Sequence, residues 1–299
     1  MIEFPNLGSK WTSERQAEEI ADWIELSLLF DEVVIKRGDI STLIPWATDA
    51  VNYIPRDAAL EQKVWAIFTK RQKMLGASWP FRVDDLRLIR RHGLPNTFMD
   101  VYSYLLLISR SDEISSYDRK FFELLSIELI SGQTGSRAYR IGYPALRGEP
   151  SELQRRIDRY AAFSHLQKFE VGHKVESSDK DLGLDGVFWM PFLDKRSGAL
   201  HAWLQCATGR DWKGKTLDIY EKTVGKHILP SAGVIRLMAV PYCVILGTAA
   251  WQRRTMEAGS ILDRTRLAML ATRAPLSSRT FSELRVRLAA AHLGTRRPL

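Results

Sequence analysis

Cysteine is scarce in this chain: Cys206 and Cys243 are the only two among 299 residues, and both sit in apolar runs. That excludes a disulfide-stapled scaffold and a cysteine-rich metal site, and points to two buried free thiols in a reducing cytoplasm. Long uncharged runs are scarce too. The most apolar window, Leu237 to Trp251, carries no charge, but Pro241 and Gly247 interrupt it, and it falls short of the ~18 to 20 residues a membrane-spanning helix needs. It reads as a buried strand running into a helix, so no membrane partner is expected. The N-terminus, MIEFPNLGSK, lacks the basic start and apolar core of a signal peptide. Repeats at solenoid periods and low-complexity tracts are lacking as well.

With 45% apolar residues, the chain can bury a large core and is long enough for two domains. Positive charge is in excess, with a net +8 and a pI of about 9.5. Such a balance favours a polyanionic partner through counterion release, and nucleic acid leads that class, although charge alone does not identify it.

The chemistry concentrates between Lys180 and Lys215. Gly186 to Phe192 and Ala199 to Ala207 are apolar, β-rich runs separated by the turn residues Asp194-Lys195-Arg196-Ser197-Gly198, which predicts a hairpin. Antiparallel pairing would bring Asp185, at the entrance of the first strand, and Gln205, near the exit of the second, to the same end. Asp211-Trp212-Lys213-Gly214-Lys215 then opens a helix predicted to reach Ile228, with Asp211 as its cap. A carboxylate, a second oxygen ligand and a lysine at one hairpin end suit metal-assisted phosphodiester hydrolysis. Oxygen ligands hold Mg²⁺ or Mn²⁺, the metal activates water, and the lysine helps neutralise charge on the phosphorane.

This arrangement resembles the PD-(D/E)xK nuclease superfamily, in which an Asp precedes one strand and an acid-x-Lys element sits on the next. Here that element reads Gln205-Cys206-Ala207, with an amide for the acid and an alanine for the lysine. Some branches of the superfamily use Gln at this place and others move the lysine to the following helix, which makes Lys215, or else Lys213, the replacement. The words Gln205-Cys206-Ala207-Thr208-Gly209 and Asp211-Trp212-x-x-Lys215 are similar to those in a group of uncharacterised bacterial proteins related to restriction and phage-defence nucleases. The run Gly259 to Arg264, read as a last short strand, is similar to the same group. In the superfamily the first core helix often carries a Phe-Glu pair with its acid pointing into the site, and the helix predicted over Tyr117 to Ile130 contains Phe121-Phe122-Glu123.

The resemblance implies Asp185, Gln205 and Glu123 as metal ligands and, with Lys215, as the catalytic set. Asp181 is the alternative carboxylate; Gly183 between the two suggests a tight approach to the strand that favours Asp185. The implied activity is metal-dependent endonucleolytic cleavage of nucleic acid, DNA ahead of RNA, in bacterial anti-phage defence, with a companion defence protein as a further partner. The alternative is a PD-(D/E)xK-like domain that has lost catalysis and binds nucleic acid or protein, since replacing an acid by Gln205 weakens the hold on a hard cation. A Cys206 nucleophile working with His201 or His173 is disfavoured by the apolar setting of the thiol. His173 with Glu176 is a weakly spaced ligand pair.

Two domains are predicted. Residues 1–112 read as all-helical, with helices over Glu14–Phe30, Asp57–Leu75 and Thr97–Ser109 and no paired acids among them. Residues 113–299 read as a restriction-endonuclease-like α/β domain, a mixed sheet flanked by helices and ending in a basic helix near Phe281 to His292. Within it, Ser136–Tyr143 and Val234–Val240 are predicted strands, and Thr248–Glu257 is a predicted helix. Glu152–Phe169 reads as a basic amphipathic helix with Arg155, Arg156, Arg159 and Lys168 at polar positions. A nucleic-acid face would use Lys213, Arg155, Arg159, Arg253 and Arg254, although a solvated charged face is the commoner meaning of such residues.

Overall fold

The computed structural model describes residues 13–31, 34–40, 58–110, 114–168, 181–194, 196, 198–215, 228–229 and 233–295. They divide into two compact units, Met1–Asp112 with Phe281–Leu299, and Glu113–Thr280.

In the first unit, α1 (Ser13–Asp31) buries Ile20, Ile24 and Leu28, four residues apart on one stripe. After β1 (Ile35–Lys36), α2 (Ala58–Leu75) buries Leu60, Val64 and Phe68 at the same spacing, and the two helices pack together. β2 (Phe81–Asp84) and β3 (Arg87–Arg90) form a hairpin whose turn residue Asp85 takes a left-handed φ of 53°, which a short polar side chain tolerates. β1 pairs antiparallel with β3, giving a sheet in the order β1-β3-β2, and α3 (Asn96–Arg110) packs against α1. The region is therefore not all-helical. Its strands escape the apolar pattern because only Phe81 and Leu88 are fully buried, while Arg82, Asp84 and Arg87 are exposed. It also holds the paired acids that its sequence does not announce. Glu25 Oε1 accepts from Arg71 Nη1 at 2.5 Å and Trp79 Nε1 at 3.0 Å, its Oε2 accepts from Tyr102 Oη at 2.7 Å, and Asp22 takes Arg71 Nη2 at 2.7 Å.

In the second unit, α4 (Ser116–Thr134) starts at Ser115, whose hydroxyl accepts from the Asp118 N–H at 3.0 Å, and stops at Gly135 with φ 66°. β4 (Arg137–Arg140) follows, then α5 (Leu153–Ser164), which ends at His165 with φ 54°, short of the predicted Phe169. β5 (Gln167–Lys168) pairs with β8 (Ile228–Leu229). β6 (Gly186–Met190), β7 (Leu200–Cys206), β9 (Val234–Ala239) and β10 (Ser260–Leu262) join β4 in a five-stranded mixed sheet ordered β10-β9-β7-β6-β4. β4 and β7 run antiparallel to β6, β9 runs parallel to β7, and β10 runs parallel to β9. α6 (Thr248–Ala258) makes the crossover between the last two, and α7 (Arg264–Leu270) follows β10.

One face of this sheet, with Val187, Trp189, Trp203 and Met238, packs into a core with Ile157 and Tyr160 of α5. The opposite face meets α4. There Gly186 is needed, because a Cβ would come within 2.8 Å of Ile127. The helix predicted over Asp211–Ile228 begins instead as a short 3-10 turn, Arg210–Gly214, flanked by Gly209 rather than capped by Asp211. The backbone at Lys215 is already extended, and residues 216–227 lie outside the described residues, as do His173 and Glu176. Buried Trp212 pins that turn to the core.

The final helix, α8 (Ser278–Thr295), belongs by its sequence position to the predicted second domain, yet most of it groups with the first unit, where Arg285 pairs with Asp100 at 3.0 Å. Among the described residues no helix is long and apolar enough to cross a membrane.

Candidate functional site

The site grows from the point where β4, β6 and β7 meet. Gly186 pairs with Leu204 and with Arg140, so Asp185, one residue earlier, lies where all three strands converge. Its backbone is fully engaged. The Asp185 N–H donates to Leu204 O at 2.9 Å, and its carbonyl accepts from Ile141 N–H at 2.9 Å and Gly142 N–H at 3.1 Å. Its carboxylate Oδ2 accepts from the Cys206 N–H at 2.6 Å, so the side chain completes the ladder where the backbone pairing stops. Oδ1 takes no hydrogen bond among the described residues.

Glu123 reaches the same place from α4. Phe122 before it is fully buried, and Glu123 is itself only 7% exposed. Its Oε2 accepts from Arg140 Nε at 2.7 Å and faces Arg140 Nη2 at 2.6 Å. Arg140 Nη1 donates to Pro144 O at 2.8 Å. Gly142 leaves room for all of this. A Cβ there would stand 2.4 Å from Glu123 Oε2, 3.2 Å from Arg140 Nη2 and 3.2 Å from Asp185 Oδ1, so one small volume is shared by two carboxylates and a guanidinium.

Burial is the first cause that lifts the Asp185 carboxyl well above the usual carboxylate range, and the neighbouring Glu123 charge is the second. Burial also raises Glu123, with Arg140 opposing it. Asp181 is committed elsewhere: its Oδ1 accepts from Gly183 N–H at 2.9 Å and its Oδ2 from Tyr143 N–H at 3.1 Å, fastening two loops.

Gln205 stands on β7 beside Leu204, in line with Asp185 across the hairpin. It shares the strand face of Trp203 and Ala207, which belong to the core under α5, whereas Glu123 comes from the opposite layer. Gln205 Oε1 is buried with no hydrogen-bond partner among the described residues. Lys213 is exposed and Lys215 half-buried, and neither makes an ion pair with Glu123 or Asp185. Glu123 and Asp185 thus come together, Gln205 is adjacent in register, and the cation between the acids is Arg140. Nothing local in the sequence marks Arg140; its place follows from a pairing with Gly186 far along the chain.

Cys206 lies on the α4 side of β7 and His201 on the α5 side, so the two do not form a nucleophile pair. Burial, then the Asp185 and Glu123 charges, push the Cys206 thiol well up. His201 is buried, and its Nδ1 lies 2.8 Å from Tyr160 Oη. Trp203 Nε1–H donates to the same oxygen at 3.1 Å.

Comparison of the chain with protein-family models, with curated proteins and with solved structures found no match to any of them.

The arginines of the predicted nucleic-acid face differ among themselves. Arg155 pairs with Glu152 at 3.0 Å, and Arg159 with Glu149 at 2.5 Å. Arg254 pairs with Glu257 at 3.0 Å and also donates to Lys213 O at 2.6 Å, which ties α6 to the turn after β7. Arg253 is exposed without an ion pair among the described residues. Arg156 is not on a polar surface: it is 1% exposed and donates to the carbonyls of Pro150 and Ser151, closing the first turn of α5. Lys168's side chain lies outside the described residues.

Proposed function

We propose that the second unit is a metal-dependent phosphodiester hydrolase acting on nucleic acid, DNA ahead of RNA. The observation that carries this reading is the convergence of Glu123 and Asp185 on the space beside Gly142, where three strands meet. It agrees with the resemblance on two points: an Asp directly precedes one strand of a hairpin, and the acid of a Phe-Glu pair comes in from the preceding helix.

The residues fit a hard divalent cation by donor type. Glu123 Oε1 and Asp185 Oδ1 are carboxylate oxygens without a hydrogen bond among the described residues and would hold Mg²⁺ or Mn²⁺, while Gln205 Oε1, on the α5 face of β7, would join them only from the Asp185 side. Among the described residues no group of three His, Cys, Asp or Glu stands close enough to bind a metal, so water or the Gln205 amide would complete the shell begun by the two carboxylates. When bound, the metal supplies positive charge that acidifies water and offsets phosphate charge. The chain's own part is to hold the oxygens rigidly: Asp185 through the Cys206 N–H, and Glu123 through Arg140. Lys213, Arg253 and Arg254 lie on the turn after β7 and on α6, and they provide the charge for a phosphate backbone.

The replacement of an acid by Gln205, together with Arg140 seated on Glu123, favours a second reading, a binding module without catalysis. Incubating the protein with plasmid, linear DNA and RNA, with and without Mn²⁺, decides between them. Metal-dependent cutting that Asp185→Ala removes supports the hydrolase. Salt-sensitive binding without cutting by the wild type gives the binding module instead.

A further inference from the structure

Arg140 is the one cation that the described structure seats on the Glu123–Asp185 pair. Its guanidinium is buried, with Nε donating to Glu123 Oε2, Nη2 2.6 Å from the same oxygen but without a hydrogen bond among the described residues, and Nη1 fastened to Pro144 O. Asp185 Oδ1 and Arg140 Nη2 lie equally far, 3.2 Å, from the point a Cβ at Gly142 would occupy. The guanidinium therefore stands where the negative charge of both carboxylates is felt. In the first unit, by contrast, Arg71 bridges Glu25 and Asp22, and Glu25 also accepts from Trp79 and Tyr102, so that both its oxygens are taken up.

We propose that Arg140 is an internal counter-ion that competes with a divalent cation for Glu123, so that this one side chain sets the metal affinity of the site. The inference rests on the metal-site reading above but not on catalysis. Its basis is charge. With both acids ionised, Glu123 and Asp185 offer two negative charges and Arg140 cancels one; Asp181 and Lys120 act on Glu123 from outside the pair with opposite signs, and Gln205, next to Asp185 in register, adds no charge. A hard cation is held by ligand charge, so the site as built binds weakly and gains by losing the arginine. The geometry gives the exchange a route. Both guanidinium nitrogens fall on Oε2, which leaves Oε1 without a hydrogen bond, so a cation can engage Oε1 before the guanidinium yields.

The test is a Mn²⁺ titration followed by electron paramagnetic resonance on wild type, Arg140→Gln and Arg140→Lys. Arg140→Gln should bind Mn²⁺ ~10- to 100-fold more tightly than wild type, and Arg140→Lys, which keeps the charge, should stay within a few-fold of it. Mn²⁺ should also raise the melting temperature of Arg140→Gln by more than that of wild type, because a ligand stabilises the state it binds. Equal or weaker Mn²⁺ binding by folded Arg140→Gln overturns the proposal, as does an absence of binding in all three proteins. Should Arg140→Gln fail to fold, the arginine Nε–H resonances of the wild type decide. Mg²⁺ should shift the Arg140 signal and strip its protection from exchange; bound Mg²⁺ that leaves it unchanged, or no Mg²⁺ binding, overturns the proposal. A protein that loads metal in this way yet cuts nothing overturns the hydrolase reading alone. One that cuts, with Arg140→Gln binding no tighter, overturns this inference alone.

Discussion

Each unit buries an arginine against carboxylates, and the two constellations are finished differently. Around Arg71 both oxygens of Glu25 are filled, by Arg71, Trp79 and Tyr102, and Asp22 takes the other end of the guanidinium. Around Arg140 they are left open, with one unbonded oxygen on each of Glu123, Asp185 and Gln205 among the described residues. Each guanidinium keeps one buried nitrogen without a hydrogen bond among the described residues, Arg71 Nε and Arg140 Nη2, so the contrast lies in the acceptors: filled carboxylate oxygens rigidify a core, whereas open ones cost stability and persist where something else is to be bound. On this contrast the second cluster, rather than the first, carries the proposed site.

The largest expected effect is on chemistry. Asp185→Ala should lower metal-dependent cleavage by ~10³-fold or more, read as initial rates on plasmid, because it removes the carboxylate at the junction of the three strands. Full activity in this variant would sink the hydrolase assignment and, with it, the meaning given to the open cluster.

Stability should respond in the opposite sense. Glu25→Gln leaves Arg71 buried with half its counter-charge gone and should cost about 3 kcal/mol, measured by urea unfolding. Asp185→Asn should leave stability at neutral pH unchanged or raise it. Burial and the Glu123 charge raise the Asp185 carboxyl in the folded chain, so its ionisation opposes folding; stability is lost as pH rises past the ordinary carboxylate range, and a neutral amide escapes that loss. If the two variants prove equally destabilising, the clusters do not differ in kind.

A third, smaller effect belongs to the core between the site and α5. Burial holds His201 down at about 4, against an ordinary value near ~6.5. The folded chain therefore resists a proton that the unfolded chain accepts, and stability falls as pH drops through the window from ~6.5 to about 4. The loss should be on the order of 2 to 3 kcal/mol, seen as a falling urea midpoint, and His201→Gln should flatten this limb of the profile. An unchanged profile in that variant would show that His201 is not the group responsible.

How far the sequence carries this description depends on how local each signal is. The hairpin was readable because its two apolar runs and turn residues are contiguous: the strands fall at Gly186–Met190 and Leu200–Cys206, inside the predicted runs. Antiparallel pairing then placed Asp185 and Gln205 at one end without further information. Arg140 was not readable, since its role needs β4 to pair with β6 across the whole of α5. Nor was the burial of Arg156, which a helical wheel places beside Arg155 and Arg159 but which turns inward to cap carbonyls before its own helix. The small sheet of the first unit hid for a related reason: its strands bury one apolar residue each and hold register through their backbones. Of the helix predicted after Gly209 only the start is described, and it is a 3-10 turn around buried Trp212.

The smallest expected effect is the most discriminating, and it concerns Gln205. Its Oε1 is buried without a partner among the described residues, which costs free energy unless something uses it. If the amide oxygen is a neutral metal ligand, Gln205→Glu adds charge to a site that Arg140 has half neutralised. Mn²⁺ should then bind ~10-fold more tightly, and cleavage should stay within about tenfold of wild type. If instead the amide donates through Nε2 to water or phosphate, a carboxylate cannot replace it, and cleavage should collapse while metal binding still tightens. The two outcomes separate because binding and rate are read independently. The double variant Gln205→Glu with Arg140→Gln carries the comparison one step further. Neighbouring charges in one site do not act independently, so its gain in Mn²⁺ affinity should fall short of the product of the single gains. A strictly multiplicative gain would mean that Gln205 and Arg140 do not act on the same metal position, and Gln205 would then lose its place in the ligand set.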